Sequence, residues 1–215
     1  MNVRTSERLV VDQGTDASVE GNGRLTAATG TLLALLLLVE GFTVLDVRGY
    51  ITLHAALGLI LIGPVMLKCA STAYRFFRYY TGRAAYVRKG PPHLVMRVLG
   101  PVVILSTLAL LGTGVALLAV HGRSDTWLTL HQGSFIVWLA VMTVHFLWHL
   151  LEAIRGTARE LRPAGQDPAG RGHALRLVVV AASILVGVGL AAAFTPSASS
   201  WQMEHHDHGR YEQPR

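Results

Sequence analysis

Five stretches of this sequence are each long and apolar enough to cross a lipid bilayer, and they limit what the chain can fold into. A helix needs about 20 predominantly apolar residues to span the hydrocarbon layer. The predicted spans cover about residues 25–45, 51–72, 98–120, 127–152 and 174–194. The sequence therefore predicts an all-α membrane protein with five transmembrane helices in a lipid bilayer, rather than a soluble domain.

The segments outside the spans predict the orientation of the chain. Residues 1–24 are polar and contain glycine, which predicts a disordered tail, and residues 196–215 predict a second flexible tail. Most basic residues outside the spans lie in the loops after the second and fourth spans. Because cytoplasmic loops are enriched in Lys and Arg, the amino terminus is predicted to be cytoplasmic and the carboxy terminus extracytoplasmic. The same loops account for the net charge of +6 without nucleic acid as a partner.

Three histidines lie in the fourth predicted span. His131 and His145 are 14 residues apart, and His149 follows at i+4. At ~100° and ~1.5 Å per residue, these rings fall on one narrow stripe, with His131 and His145 about 21 Å apart along the axis. Ionisable residues inside a membrane are costly and usually functional. For His149, as for His121 after the third span, an ordinary place at the membrane interface is the alternative explanation.

A fourth histidine, His54, lies about one turn inside the second span. The second and fourth spans run in the same direction, so His54 and His131 are predicted at matching depth. Bundles build cofactor sites from facing side chains, and two imidazoles at one level suit a six-coordinate haem iron if their rings lie within about 15 Å of each other. Small residues would line the haem plane, or would serve ordinary packing in lipid: Gly58, Gly112, Gly114 and Gly133.

The histidine pattern resembles that of the bacterial di-haem membrane cytochromes b. This group includes the bacterial cytochrome b561 proteins and the cytochrome b subunits of formate dehydrogenase and nickel-iron hydrogenase, and the resemblance covers about residues 25–155. It implies that the first four helices form an up-down bundle that binds haem b. His54 and His131 match the ligands of the outer haem, and His145 matches one ligand of the inner haem. The resemblance also implies an electron-transfer subunit of an oxidoreductase in the bacterial plasma membrane, with a quinone and a peripheral redox subunit as partners.

The sequence departs from this family at the inner haem. The family takes the second inner ligand from the first span, and residues 25–45 contain no histidine. Lys68 lies 14 residues after His54, at about the depth of His145, and is either a substitute ligand or a side chain that reaches the headgroup layer. His149 is a further candidate at that site. One haem or two therefore remain alternatives.

Charged residues near the outer ends of the spans each have a functional and an ordinary interpretation. Glu40 in the first span is a proton carrier, a hydrogen-bond partner of a ligand histidine, or a carboxylate that reaches the headgroups. Arg48 and Arg123 pair with haem propionates or are solvated loop charges. The tail cluster Glu204–His208 is either a weak copper, zinc or nickel site or a polar disordered end. The rival to a cytochrome is a haem-free membrane protein, either a small transporter or a structural subunit of a complex.

Overall fold

Apart from short connections, the protein is helical in the part of the chain that the structure describes. The computed structural model describes the backbone of residues 3–88, 94–121, 124–160 and 172–210, and side chains within residues 19–88, 97–121, 124–147 and 172–195. These residues form six helices: α1 (Val3–Leu45), α2 (Ile51–Tyr80), α3 (Ala84–Arg88), α4 (Leu94–Ala119), α5 (Asp125–Glu160) and α6 (His173–Arg210).

Five of the helices contain a segment long and apolar enough to cross a membrane. The segments are Val19–Leu45, Ile51–Tyr80, Arg97–Ala119, Asp125–Leu147 and His173–Thr195. Each overlaps one predicted span, so the prediction of an all-α protein with five membrane helices is confirmed. Many large apolar side chains on these helices are exposed, as expected for surfaces that face lipid rather than water.

Helices α1 and α2 are antiparallel neighbours. Thr43, near the end of α1, bonds to His54 near the start of α2, and Lys68, late in α2, bonds to Thr26 early in the first span. Leu33 packs between these two contacts in a buried apolar cluster with α2. The short connection of residues 46–50 therefore makes a direct reversal of the chain.

Helices α4 and α5 form a second antiparallel pair. Thr113 of α4 bonds to His131 of α5, and one to two turns further into the bundle Thr107 accepts a hydrogen bond from the Trp138 indole at 3.0 Å. Helix α1 packs against both α2 and α5, and α2 also contacts α4. The four helices thus form an up-down bundle in which α2 and α5 stand at opposite corners.

Helix α6 lies outside this bundle, against α2. A Cβ atom built on Gly63 of α2 would collide with the backbone carbonyl of Ser183, and one built on Gly187 of α6 would collide with the carbonyl of Ile60. Only glycine allows the two backbones to approach this closely, as is common where helices pack in lipid. The fifth span is therefore fixed to the helix that carries His54.

The structure differs from the sequence prediction at both ends of the chain. Helix α1 begins at Val3, inside the predicted disordered tail, and α6 continues through the predicted flexible tail to Arg210. From Val19 onward the extension of α1 is held by tertiary contacts: Val19 packs with Tyr86 of α3, and the Asn22 amide donates to the Ser71 carbonyl at 3.2 Å. These contacts join segments distant in sequence, so local composition did not predict them.

Candidate functional site

Two histidine rings meet inside the four-helix bundle. The ring centres of His54 on α2 and His131 on α5 are 6.3 Å apart, and the ring planes cross at 78°. Both side chains are partly buried. The prediction that these residues lie at matching depth is confirmed, and the rings are well within reach of one shared cofactor. We call this end of the bundle, where the connection 46–50 and residues Val120, His121 and Ser124 also lie, the His54 end.

The His54 ring is held by two residues of α1. Its Nδ1 atom lies 2.9 Å from Glu40 Oε1 and 3.0 Å from Thr43 Oγ1. The Thr43 hydroxyl donates its proton to the Glu40 backbone carbonyl at 2.6 Å, so toward the ring it acts as an acceptor. A carboxylate also only accepts hydrogen bonds. Both partners therefore favour the tautomer with hydrogen on Nδ1, which places the free lone pair on Nε2.

The His131 ring is held in the same way by α4. Its Nδ1 atom lies 3.1 Å from Thr113 Oγ1, and the Thr113 hydroxyl donates to the Ala109 carbonyl at 2.8 Å. Thr113 is therefore an acceptor toward the ring, as Thr43 is for His54. Gly114 makes room for the ring, because a Cβ at this position would lie 3.2 Å from His131 Cε1. The lone pair of His131 is again placed on Nε2.

The spacing of the two rings fits a shared metal ion. With a metal–nitrogen bond of about 2.0–2.1 Å and roughly 1.2 Å from nitrogen to ring centre, two imidazoles on opposite sides of one metal have centres about 6.4 Å apart. Edge-to-face contacts between rings also span about 4.5–7 Å, so a shared metal requires suitable ring nitrogens as well as this separation of the ring centres. Metal-bound histidines usually donate their second ring N–H to a carboxylate or another oxygen, and both rings here have such an oxygen at Nδ1.

A large cavity runs between the four helices of the bundle. Its volume is about 2730 Å³, against about 300–1,000 Å³ for ordinary small-molecule sites. Its lining is mainly apolar and includes His54, His131 and Gly58. Gly112 and Gly133, which the sequence suggested as further lining residues, are instead exposed, with nothing within 4 Å of a Cβ built on either. A residue two positions away on a helix lies about 200° around the axis, so neither glycine shares a face with the ring site.

The predicted second site is only partly assembled. His145 is partly buried and lines the same cavity, as does Lys68. The Lys68 ammonium donates to the Thr26 carbonyl of α1 at 2.5 Å. His149 belongs to α5, but its side chain lies outside the described residues.

Within the residues described, no group of three or more His, Cys, Asp or Glu side chains that could hold a bare metal ion occurs. A haem differs from a bare ion in this respect, because the porphyrin supplies four of the six ligands.

The remaining candidates are Arg48, His121, Arg123 and the tail cluster Glu204–His208. Arg48 is exposed and borders the cavity. His121 is exposed in the turn after α4, as expected for a surface histidine. Its backbone is left-handed (φ 52°). Arg123 and the side chains of Glu204–His208 lie outside the described residues.

The sequence interpretation missed Thr43 and Thr113 as partners of the rings. A signal for Thr43 was present, since it follows Glu40 by three residues and therefore shares its helix face. Thr113 precedes the Gly114 that touches the ring, so both were within a segment already noted for its glycines.

Comparisons with protein families, with curated proteins and with solved structures find no match for this chain. The resemblance to the di-haem cytochromes b therefore has its support in the histidine positions alone.

Proposed function

We propose that this protein is a membrane-embedded b-type cytochrome that binds haem through His54 and His131. The observation that carries the proposal is the pairing of two imidazoles 6.3 Å apart on opposite helices, each with an acceptor at Nδ1. The donor set fits haem iron, since neutral imidazoles with a free Nε2 lone pair are common axial ligands. The adjoining cavity has the volume for a group of this size.

Each residue of the site has a definite task in this function. His54 and His131 would bind the iron, and Glu40, Thr43 and Thr113 would fix the ring orientations and tautomers through Nδ1. The apolar lining of the four helices excludes water and lowers the local dielectric. Haem supplies one-electron redox chemistry when it is bound. In the bacterial plasma membrane, the exchange partners would be a quinone and a peripheral redox subunit.

The proposal is for one haem at the His54 end. A second haem would take His145 as a ligand, but α1 supplies no histidine opposite it and Lys68 is bonded to Thr26. A haem-to-protein ratio of one that is unchanged by His145→Ala is the expected result. A ratio of two that falls to one in His145→Ala would assign the second site.

An absorption spectrum of the purified protein tests the proposal directly. We expect the reduced-minus-oxidised bands of six-coordinate haem b in detergent solution, and their loss in both His54→Ala and His131→Ala. Protein that folds and contains no haem after expression with ample haem supply would contradict the proposal.

Absence of haem would favour a small transporter. The supporting observation for that second function is the contact between Glu40 Oε1 and His54 Nδ1 inside the first two spans, at 2.9 Å. A membrane-embedded carboxylate and imidazole in contact form a site that can take up and release a proton. Proton uptake by the haem-free protein in vesicles would then be the measurement that replaces the spectrum.

A further inference from the structure

Glu40 is an acidic side chain inside the first membrane span, and its carboxylate lies against one of the two proposed ligand rings. Its Oε1 atom is 2.9 Å from His54 Nδ1, and only 13% of the side chain is exposed. Its other oxygen lies 3.4 Å from the hydroxyl of Thr43, a residue that is itself 3% exposed. A charged group at this depth is costly in a bilayer and is usually functional.

The two rings of the site differ in the charge of their partners. His54 is bonded to a carboxylate, whereas His131 is bonded to the neutral hydroxyl of Thr113. In the α4–α5 pair, neutral groups orient the ring: the Thr113 hydroxyl and the Leu110 backbone carbonyl. Orientation alone therefore does not explain why the α1–α2 pair has an acid in addition to Thr43.

We propose that Glu40 is a positioning residue that lowers the reduction potential of the iron held by His54 and His131. This inference rests on the proposed haem function. A carboxylate that accepts the Nδ1 hydrogen makes the imidazole a more basic ligand. Its negative charge also favours the oxidised iron, which carries one more positive charge than the reduced form, and this attraction is strong where the dielectric is low.

The variant Glu40→Gln separates charge from orientation. Glutamine has the same length and retains a carbonyl oxygen that can accept from Nδ1, but it carries no charge. We expect its haem spectrum to remain six-coordinate, while a redox titration shows the reduction equilibrium shifted at least tenfold toward the reduced form. A tenfold shift in a one-electron equilibrium corresponds to about 59 mV.

Asp46→Asn is the matched control. Asp46 is an exposed carboxylate at the same end of the bundle, where it accepts a hydrogen bond from the Gly49 N–H at 3.1 Å. The substitution Asp46→Asn removes the same charge as Glu40→Gln without touching a ring, and solvent screens the charge of the Asp46 carboxylate. We expect a shift of less than about threefold for this variant.

The outcomes separate this inference from the proposed function. Haem-containing Glu40→Gln with the potential of the wild type, or with a shift no larger than that of Asp46→Asn, would overturn the inference and leave the cytochrome intact. Wild-type protein without haem would overturn both. If Glu40→Gln does not retain haem, Glu40→Asp is measured instead: the charge remains but is withdrawn from Nδ1 by one methylene, so a rise in potential is expected and an unchanged potential contradicts the inference.

Discussion

Removal of either ring at the proposed iron site should have the same effect as removal of the other. The centres of His54 and His131 are 6.3 Å apart, which leaves room for one metal between them and not for two independent sites. In His54→Ala or His131→Ala, the iron would lose one of two axial bonds and become five-coordinate. We expect haem retention to fall at least tenfold in each variant, which corresponds to about 1.4 kcal/mol. Both should also bind carbon monoxide, which the six-coordinate form resists.

The double variant provides the sharper measurement. Two residues that act on one iron do not contribute independently, so the double variant should be scarcely worse than either single one, with a coupling energy of about 1–3 kcal/mol. Haem transfer to a haem-free acceptor protein gives the retention of each variant, and carbon monoxide difference spectra give the coordination state. His121→Ala is the control, because His121 is exposed in the turn at the same end of the bundle. A fall in haem retention in the double variant equal to the product of the two single falls would refute the ligand assignment. A six-coordinate spectrum in His131→Ala together with a lost spectrum in His121→Ala would also refute it.

Three further predictions follow from neighbouring glycines and from the loop charges. Gly114→Ala should move His131 by a few tenths of an ångström and alter the haem spectrum, whereas Gly112→Ala, which meets no atom within 4 Å, should leave the spectrum unchanged. Gly187→Ala should destabilise the protein by about 1–3 kcal/mol in detergent unfolding, because the methyl group collides with backbone, while Gly189→Ala enters open space and should be neutral or slightly stabilising. A reporter fused after the last residue should be active only outside the cytoplasm, and activity inside would reverse the predicted orientation.

The sequence predicted the membrane helices and the pairing of the histidines because both depend on quantities that a sequence contains. Hydrophobic length defines a span, and the position of His54 and His131 within their spans defines their depth. What it did not predict depends on how each helix is rotated about its axis. Gly133 was proposed to line the site, but it lies two residues from His131 and therefore faces the opposite side. Thr113 became a partner of the ring only through the rotation of α4 against α5.

The helical extension of α1 is a second feature beyond the reach of sequence reasoning. Residues 3–24 contain neither a proline to stop the helix nor an apolar stripe to require it. From Val19 onward, this extension is held by the contact of Val19 with Tyr86 and by the bond from Asn22 to Ser71. Both partners lie more than 45 residues away along the chain, so composition within a window carries no information about them.

The glycine crossing of α2 and α6 has a consequence for how the protein is assembled. The α2 groove around Gly63 faces lipid until α6, which is synthesised after α2, has entered the membrane. Acyl chains must leave that groove when the two backbones come together, and their release contributes to association where no aqueous hydrophobic effect operates. The tightness of this crossing should therefore vary with the fluidity and chain length of the host bilayer. Growth temperature and lipid composition would then influence a helix whose other face carries a proposed iron ligand.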